Sequence, residues 1–322
     1  LAGHLIGLHL RDAAKISSQR WLGRFNTSRG VEKFAQRNPL IAVTHDLWDK
    51  DTLLLGTPGG VVDLHSGTMR DSSPEDYITK SAAVMPESGE PRLWLRFLNE
   101  IFEADQDLVA FIKRLCGYCL TGETKEHALA FLYGEGGNGK SVFLNTISGI
   151  LGDYASVAAM ETFMGSSLGR HSTELAALCG ARVVTASETE QGRLWDEAKL
   201  KALTGGDPVT ARFMRQDNFT YFPQFKLLIA GNYPPSLRHV DEAMRRRLMI
   251  IPFTSKPKKP DHELGQKLKQ EWPKILNWMV EGALEWQTCG LRPPPSVRDV
   301  TDQYFADQDV FTQWLEECCI LD

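Results

Sequence analysis

Gly134-Glu135-Gly136-Gly137-Asn138-Gly139-Lys140-Ser141 has the form GxxxxGK[ST]. An apolar run at 128–133 leads into it, and sequence of helical character starts near Lys140. Its glycines let successive backbone N–H groups turn inward around phosphate oxygens. A lysine after the loop supplies a point charge for the β and γ phosphates, and the following hydroxyl, Ser141, ligates Mg²⁺. A strand entering and a helix leaving place the anion at a helix N-terminus. The stretch predicts an ATP site with Mg²⁺, with all eight residues against the phosphates.

Outward from the loop, three more apolar runs, 181–186, 225–230 and 248–251, alternate with helical stretches. That alternation predicts an α/β layered core. Just past the first run stand Glu188 and Glu190, either of which suits a Mg²⁺-bound water or the polarising of an attacking water, with Glu188 joining Ser141 as the metal-side pair. The second run ends at Asn232, placed to orient the lytic water or sense the γ-phosphate. Before the third come Arg245-Arg246-Arg247. Three adjacent arginines are ordinarily a solvated face. After an ATP site, an arginine finger acting across a subunit boundary is the alternative. Between the acids and Asn232 lie Lys201-Ala202-Leu203-Thr204-Gly205-Gly206-Asp207 and then Arg212-Phe213-Met214-Arg215.

The chain's 322 residues, 42% hydrophobic and 24% charged, have the composition of an ordinary globular protein. A net charge of -5 excludes a protein coated in basic surface, so any nucleic-acid contact needs a local patch or a ring lumen. No apolar run approaches the roughly 18 to 20 residues of a membrane span. With neither an initiator Met nor a signal-peptide pattern, the chain reads as a piece of a longer cytoplasmic protein, in the host cell if phage-encoded. Cys116-Gly117-Tyr118-Cys119 has metal-knuckle spacing but no second pair to complete four ligands, which favours buried reduced thiols.

Three regions are expected. Residues 1–93 combine a basic helical stretch at 9–25 with hairpin-like strands at 53–55 and 61–64, and end in a linker at 87–91. Residues 94–255 hold a leading helical pair at 94–120, read as packing rather than as a catalytic element, and then the ATPase core. Residues 256–322 open on a Pro-rich linker. A helix comes next with Ile275, Leu276, Met279, Val280, Ala283 and Leu284 on one face. Pro293-Pro294-Pro295 then breaks the chain before an amphipathic piece at 310–320.

This order of motifs (P-loop, paired acids, Lys-x-x-Thr-Gly-Gly-Asp, a strand ending in Asn, then Arg-Arg before Pro252-Phe253) closely resembles that of superfamily-3 helicases. Within them it looks like the poxvirus and satellite-phage type of primase-helicase. Gly59-Gly60-Val61-Val62-Asp63-Leu64, Pro74-Glu75-Asp76-Tyr77-Ile78-Thr79 and Gly117-Tyr118-Cys119-Leu120-Thr121-Gly122 resemble that type's helicase-associated N-terminal domain. The resemblance implies an AAA+-like P-loop core, a mixed α+β N-terminal domain and a helical C-terminal segment. It implies a homo-oligomer, a hexameric ring, with ATP between subunits and single-stranded or fork DNA in its channel. It puts Arg212, Phe213, Met214 and Arg215 at the tip of a DNA-contacting hairpin, where polyomavirus- and papillomavirus-type relatives carry a Lys-His pair that this chain lacks. Arg246 and Arg247 match the paired arginines, and spacing to Phe253 favours Arg246 as the finger. Primase activity would lie in an upstream domain, and a winged-helix domain often follows. The competing readings are a DNA-packaging or origin-remodelling AAA+ ATPase without strand separation, and a small-molecule kinase; packaging motors do not need the segment from Lys201 to Asp207, and a kinase leaves the arginine run without a role.

Overall fold

The computed structural model describes residues 24–38, 42–44, 47–165, 172–188, 192–257 and 260–309. The chain divides into two compact units, Leu1–Lys50 and Asp51–Asp322. The described part of the first contains helix α1 (Phe25–Ala35). The basic stretch read at 9–25 lies almost entirely outside the described residues, as does the amphipathic piece at 310–320.

The second unit opens on β1 (Leu54–Thr57), β2 (Gly60–Asp63) and β3 (Thr68–Arg70), an antiparallel sheet with Leu55 opposite Val62. Backbone bonds tie this sheet to later parts of the unit: Ala82 N–H donates to the Gly56 carbonyl, and Ala83 N–H to the Ile150 carbonyl. The Tyr154 hydroxyl accepts from the Gly56 N–H and donates to the Lys80 carbonyl. Next come α2 (Arg92–Ile101) and α3 (Gln106–Leu120), capped by Asp105 on the Leu108 N–H. Trp94, Phe97, Leu98 and Ile101 fall at the i, i+3, i+4, i+7 spacing of a buried helical stripe.

The central layer comes after them: β4 (Leu129–Tyr133), α4 (Lys140–Leu151), β5 (Ala155–Val157), α5 (Ser172–Ala176), β6 (Val183–Glu188), α6 (Glu197–Gly205), the hairpin β7 (Val209–Ala211) and β8 (Phe219–Tyr221), β9 (Lys226–Gly231), α7 (Glu242–Arg245) and β10 (Leu248–Pro252). A parallel sheet runs in the order β10-β4-β9-β6-β5. Alternate strand residues point to opposite faces, and here they sort into two cores. Ala130, Leu132, Leu228, Ala230, Met249 and Ile251 join the apolar cluster with α2, α3 and α4. Leu129, Phe131, Leu227, Ile229, Leu248 and Ile250 join the other, with Phe163, Trp195 and Leu200. A sheet covered on both faces explains why these strands read as continuous apolar runs.

The chain closes with α8 (Leu264–Lys269), α9 (Trp272–Cys289) and α10 (Pro295–Gln308). Gly117 of α3 lies against the Ala283 backbone of α9, where a Cβ would collide with the main chain, so the two helices cross closely. Cys116 and Cys119, next to that crossing, are buried free thiols. Contrary to the sequence expectation, the proline run does not only break the chain. Pro295 occupies the first turn of α10, where a missing N–H and a fixed φ favour helix entry. The Thr301 hydroxyl of α10 accepts from the Ile250 N–H, a donor that the sheet leaves over at its β10 edge.

Two buried basic side chains sit at the opposite end of the strands from the loop. Arg182, just before β6, donates to the carbonyls of Leu120 and Leu54 at 2.6 and 2.7 Å. Lys226 donates to the carbonyls of Thr121, Glu123 and Gln224 and lies 4.7 Å from the Tyr118 ring centre. Burial pulls the Lys226 pKa down to about 7. An unfolded lysine keeps its proton to about pH 10.4, so between these values the unfolded chain binds more protons and stability rises with pH. Urea unfolding should therefore favour wild type increasingly over Lys226→Met from pH 7 to 9. A difference independent of pH would show that the carbonyls keep the ammonium charged.

Candidate functional site

The parallel register decides what meets what. Tyr133, Gly231 and Glu188 are level at the C-terminal ends of β4, β9 and β6. The residues just after them, the loop at 134–139 and Asn232, therefore emerge at one edge of the sheet. Gly139 caps α4 with a φ of +86°, and a Cβ there would come within 2.8 Å of Phe97. Gly136 and Gly137 have open space in front of them, as a cradle for an anion requires. The Asn138 amide donates to the Phe253 carbonyl, tying the loop to the end of β10.

Lys140 is buried at 8% exposure. Its Nζ donates to the Gly134 carbonyl, to the Glu135 carbonyl at 2.9 Å, to Asn138 Oδ1 at 3.0 Å and to Asn232 Oδ1 at 3.3 Å. Burial lowers its pKa, and a bound phosphate would offset that penalty by restoring an opposite charge. Glu135 itself turns outward onto Lys256 at 2.7 Å. Ser141 is exposed and lines the cleft. Of the paired acids, Glu188 is placed by its backbone at the end of β6, and Glu190 lies outside the described residues.

At the other edge of the sheet, the three arginines have different surroundings. Arg245 meets Asp302 at 3.3 Å and lies 4.9 Å from the Phe305 ring centre. Arg246 is exposed. Arg247 is buried, its Nε donating to Thr204 Oγ1 at 3.2 Å and its Nη1 to the Ala243 carbonyl at 2.7 Å. Lys201 forms an ion pair with Asp241. Gly205 ends α6, Gly206 caps it with a φ of +78°, and exposed Asp207 leads towards the hairpin. Arg212, Phe213, Met214 and Arg215 are exposed between β7 and β8, with Phe213 stacked on Phe219 at 5.6 Å.

Residues 1–103 match a family model described as D5 N terminal like, and residues 132–247 match a family of unknown function, DUF5906. A protein of Acanthamoeba polyphaga mimivirus, named as a candidate helicase, is 30% identical over 293 residues, covering 83% of this chain and 30% of its own length. One of Invertebrate iridescent virus 3, named likewise, is 28% identical over 265 residues, 74% of this chain and 28% of its own. Among solved structures, the apo NrS-1 C terminal region (305-718) superposes with a TM-score of 0.56 at 12% identity, covering 72% of this chain and 56% of that one. The chain fits the superfamily-3 primase-helicase type. It spans about a third of the length of these viral relatives.

Sequence reading missed one wall of the site. A cleft of about 410 Å³ in front of the loop is lined by Phe97 and Ile101 of α2 and by Pro257, Pro260 and Leu264 beyond β10. Arg96 and Glu100 stand on its rim. The leading helical pair therefore supplies part of the site's lining as well as packing. Ser187 lines the same cleft from the end of β6. Among the described residues, no helix is long and apolar enough to cross a membrane, and no group of three or more His, Cys, Asp or Glu side chains could hold a metal.

Proposed function

We propose that the chain is the motor part of an ATP-dependent helicase, a cytoplasmic ring that translocates on single-stranded DNA and separates duplex during phage or plasmid-type replication, with primer synthesis left to an upstream domain. The observation that carries this reading is the meeting of Lys140, Asn232 and an open glycine cradle at one edge of a parallel sheet. The triphosphate lies along Gly134 to Ser141, and the base takes the apolar end of the cleft, between α2 and the side formed by Pro257, Pro260 and Leu264. Ser141, which lines the cleft, and Glu188 would hold Mg²⁺, and it would neutralise charge on the β and γ phosphates. Asn232 orients the attacking water, and Glu188 or Glu190 takes its proton.

The arginines cannot serve their own chain's nucleotide. Arg246 precedes β10 and the loop comes after β4, so at roughly 3.3 Å per residue the five paired positions between them put them about 16 Å apart or more. An exposed Arg246 at that distance suits a neighbouring subunit, which supports a ring. The hairpin offers DNA two guanidiniums for phosphate and the apolar faces of Phe213 and Met214 for sugar and base.

The test is unwinding of a forked duplex with ATP, together with single-strand binding across a salt series. Arg212→Ala with Arg215→Ala should abolish strand release and flatten the salt dependence by roughly 0.7 log units per lost contact. ATP turnover without strand release by wild type would favour a packaging or remodelling motor. An unchanged salt slope in the double variant would move the DNA contact elsewhere.

A further inference from the structure

Lys201-Ala202-Leu203-Thr204-Gly205-Gly206-Asp207 identifies the chain's type, yet none of its side chains reaches the nucleotide cleft. We infer that Thr204 and Lys201 are positioning residues for the finger, holding the Arg246 segment from both sides. The inference rests on the assignment of Arg246 to a neighbour's nucleotide.

The segment from 241 to 247 is pinned at its two ends by one helix, α6. At its start, Asp241 caps α7 by accepting from the Met244 N–H at 2.8 Å, and its other oxygen takes the Lys201 ammonium. At its end, Arg247 turns inward to Thr204. The Thr204 side chain is 1% exposed, and its hydroxyl hydrogen is spent on the Leu200 carbonyl at 2.6 Å. The oxygen is thereby oriented to accept, and Arg247 Nε fills that role. Arg247 also returns Nη1 to the Ala243 carbonyl of α7, and its Nη2 lies 3.4 Å from His127 Nδ1. Burial and the neighbouring arginines lower the His127 pKa, which disfavours a second cation beside Arg247. Arg245 is meanwhile held by Asp302 and Phe305. Arg246 alone of the three is left facing solvent, on a backbone fixed before and after it.

Helix α6 ends at Gly205, and only Gly206, Asp207 and Pro208 separate it from β7 of the hairpin. One helix thus adjoins the DNA-contacting hairpin in the chain and holds the segment of the arginine offered to the next subunit. This assigns the Lys and Thr of the motif a physical task, to which Asp207 adds its negative charge near Arg247. A buried threonine that merely filled space would be replaced by valine at little cost, since valine keeps the shape and loses the acceptor.

The test uses the assembled protein and sorts variants by which side of a shared site they damage. Thr204→Val should lower kcat at least tenfold, with ATP affinity within about twofold of wild type, and Thr204→Ser should restore turnover. Mixed with Lys140→Ala, Thr204→Val should regain ATPase, because the two defects lie on opposite sides of the interface. Mixed with Arg246→Ala it should regain none. Lys201→Ala, whose ion pair is part exposed, must fall in the same class and keeps the test open if Thr204→Val folds poorly. Rescue of Thr204→Val by Arg246→Ala, or normal turnover in both Thr204→Val and Lys201→Ala, overturns the inference alone. Absence of rescue between Lys140→Ala and Arg246→Ala overturns the shared-site reading and the inference with it.

Discussion

Lys140→Ala should lower ATP turnover about a thousandfold or more while leaving the protein folded. The magnitude comes from the site. The ammonium is the one described cation whose donors converge on the inside of the loop, bonded to two loop carbonyls, Asn138 and Asn232. In the reaction it would supply charge to the phosphates as negative charge develops, and removing one such preorganised donor costs about 10²- to 10³-fold, with lost binding added. The fold should survive because those acceptors border a cleft that admits water, and because Asn138 keeps its bond to Phe253. ATPase assays, binding of a fluorescent ATP analogue and thermal melting separate these effects. Turnover near wild type would remove the motor reading, whatever the DNA results.

Arg246→Ala should bind ATP as wild type does and hydrolyse it about 10³-fold more slowly, the scale of a guanidinium that stabilises the transferring phosphoryl group. If Arg246 were only a surface charge, its loss would cost at most the roughly 0–1 kcal/mol of an exposed ion pair. Mixing Arg246→Ala with Lys140→Ala should bring back activity, since some interfaces then join an intact P-loop to an intact finger. Arg247→Ala should behave differently, with reduced stability, because it empties a buried position that links α6 to α7. A dead Arg246→Ala protein that no mixture rescues would place its defect inside the subunit.

How legible each part was in the sequence depends on what its chemistry demands. The loop was legible because phosphate binding requires glycines, a lysine and a hydroxyl at fixed offsets, and few other demands produce that string. The strands around it were legible as apolar runs because both sheet faces are covered. The role of Phe97 and Ile101 was not: helical periodicity shows that a face is buried, not whether it meets a core or a nucleotide cleft. Arg246 and Arg247 are adjacent and identical in type, and only the turn of the backbone sends one outward and the other onto Thr204. Lys226 and Arg182 gave no signal, since a polar residue opening a strand is ordinarily solvated. The proline run misled because proline stops a helix from inside and starts one from its first turn, and spacing alone does not say which.

The bond from the Ile250 N–H to Thr301 bears on how the protein tolerates trimming. Leu248–Pro252 is an apolar strand with one side unpaired in the sheet, the kind of border along which separate molecules zip together. Helix α10 shields that border with Tyr304 and Phe305 and answers one of its free donors with a hydroxyl. Cutting the chain back to the end of α9 would keep every nucleotide-cleft residue and still bare a sticky seam, so α10 acts as a guard against aggregation whatever else it does.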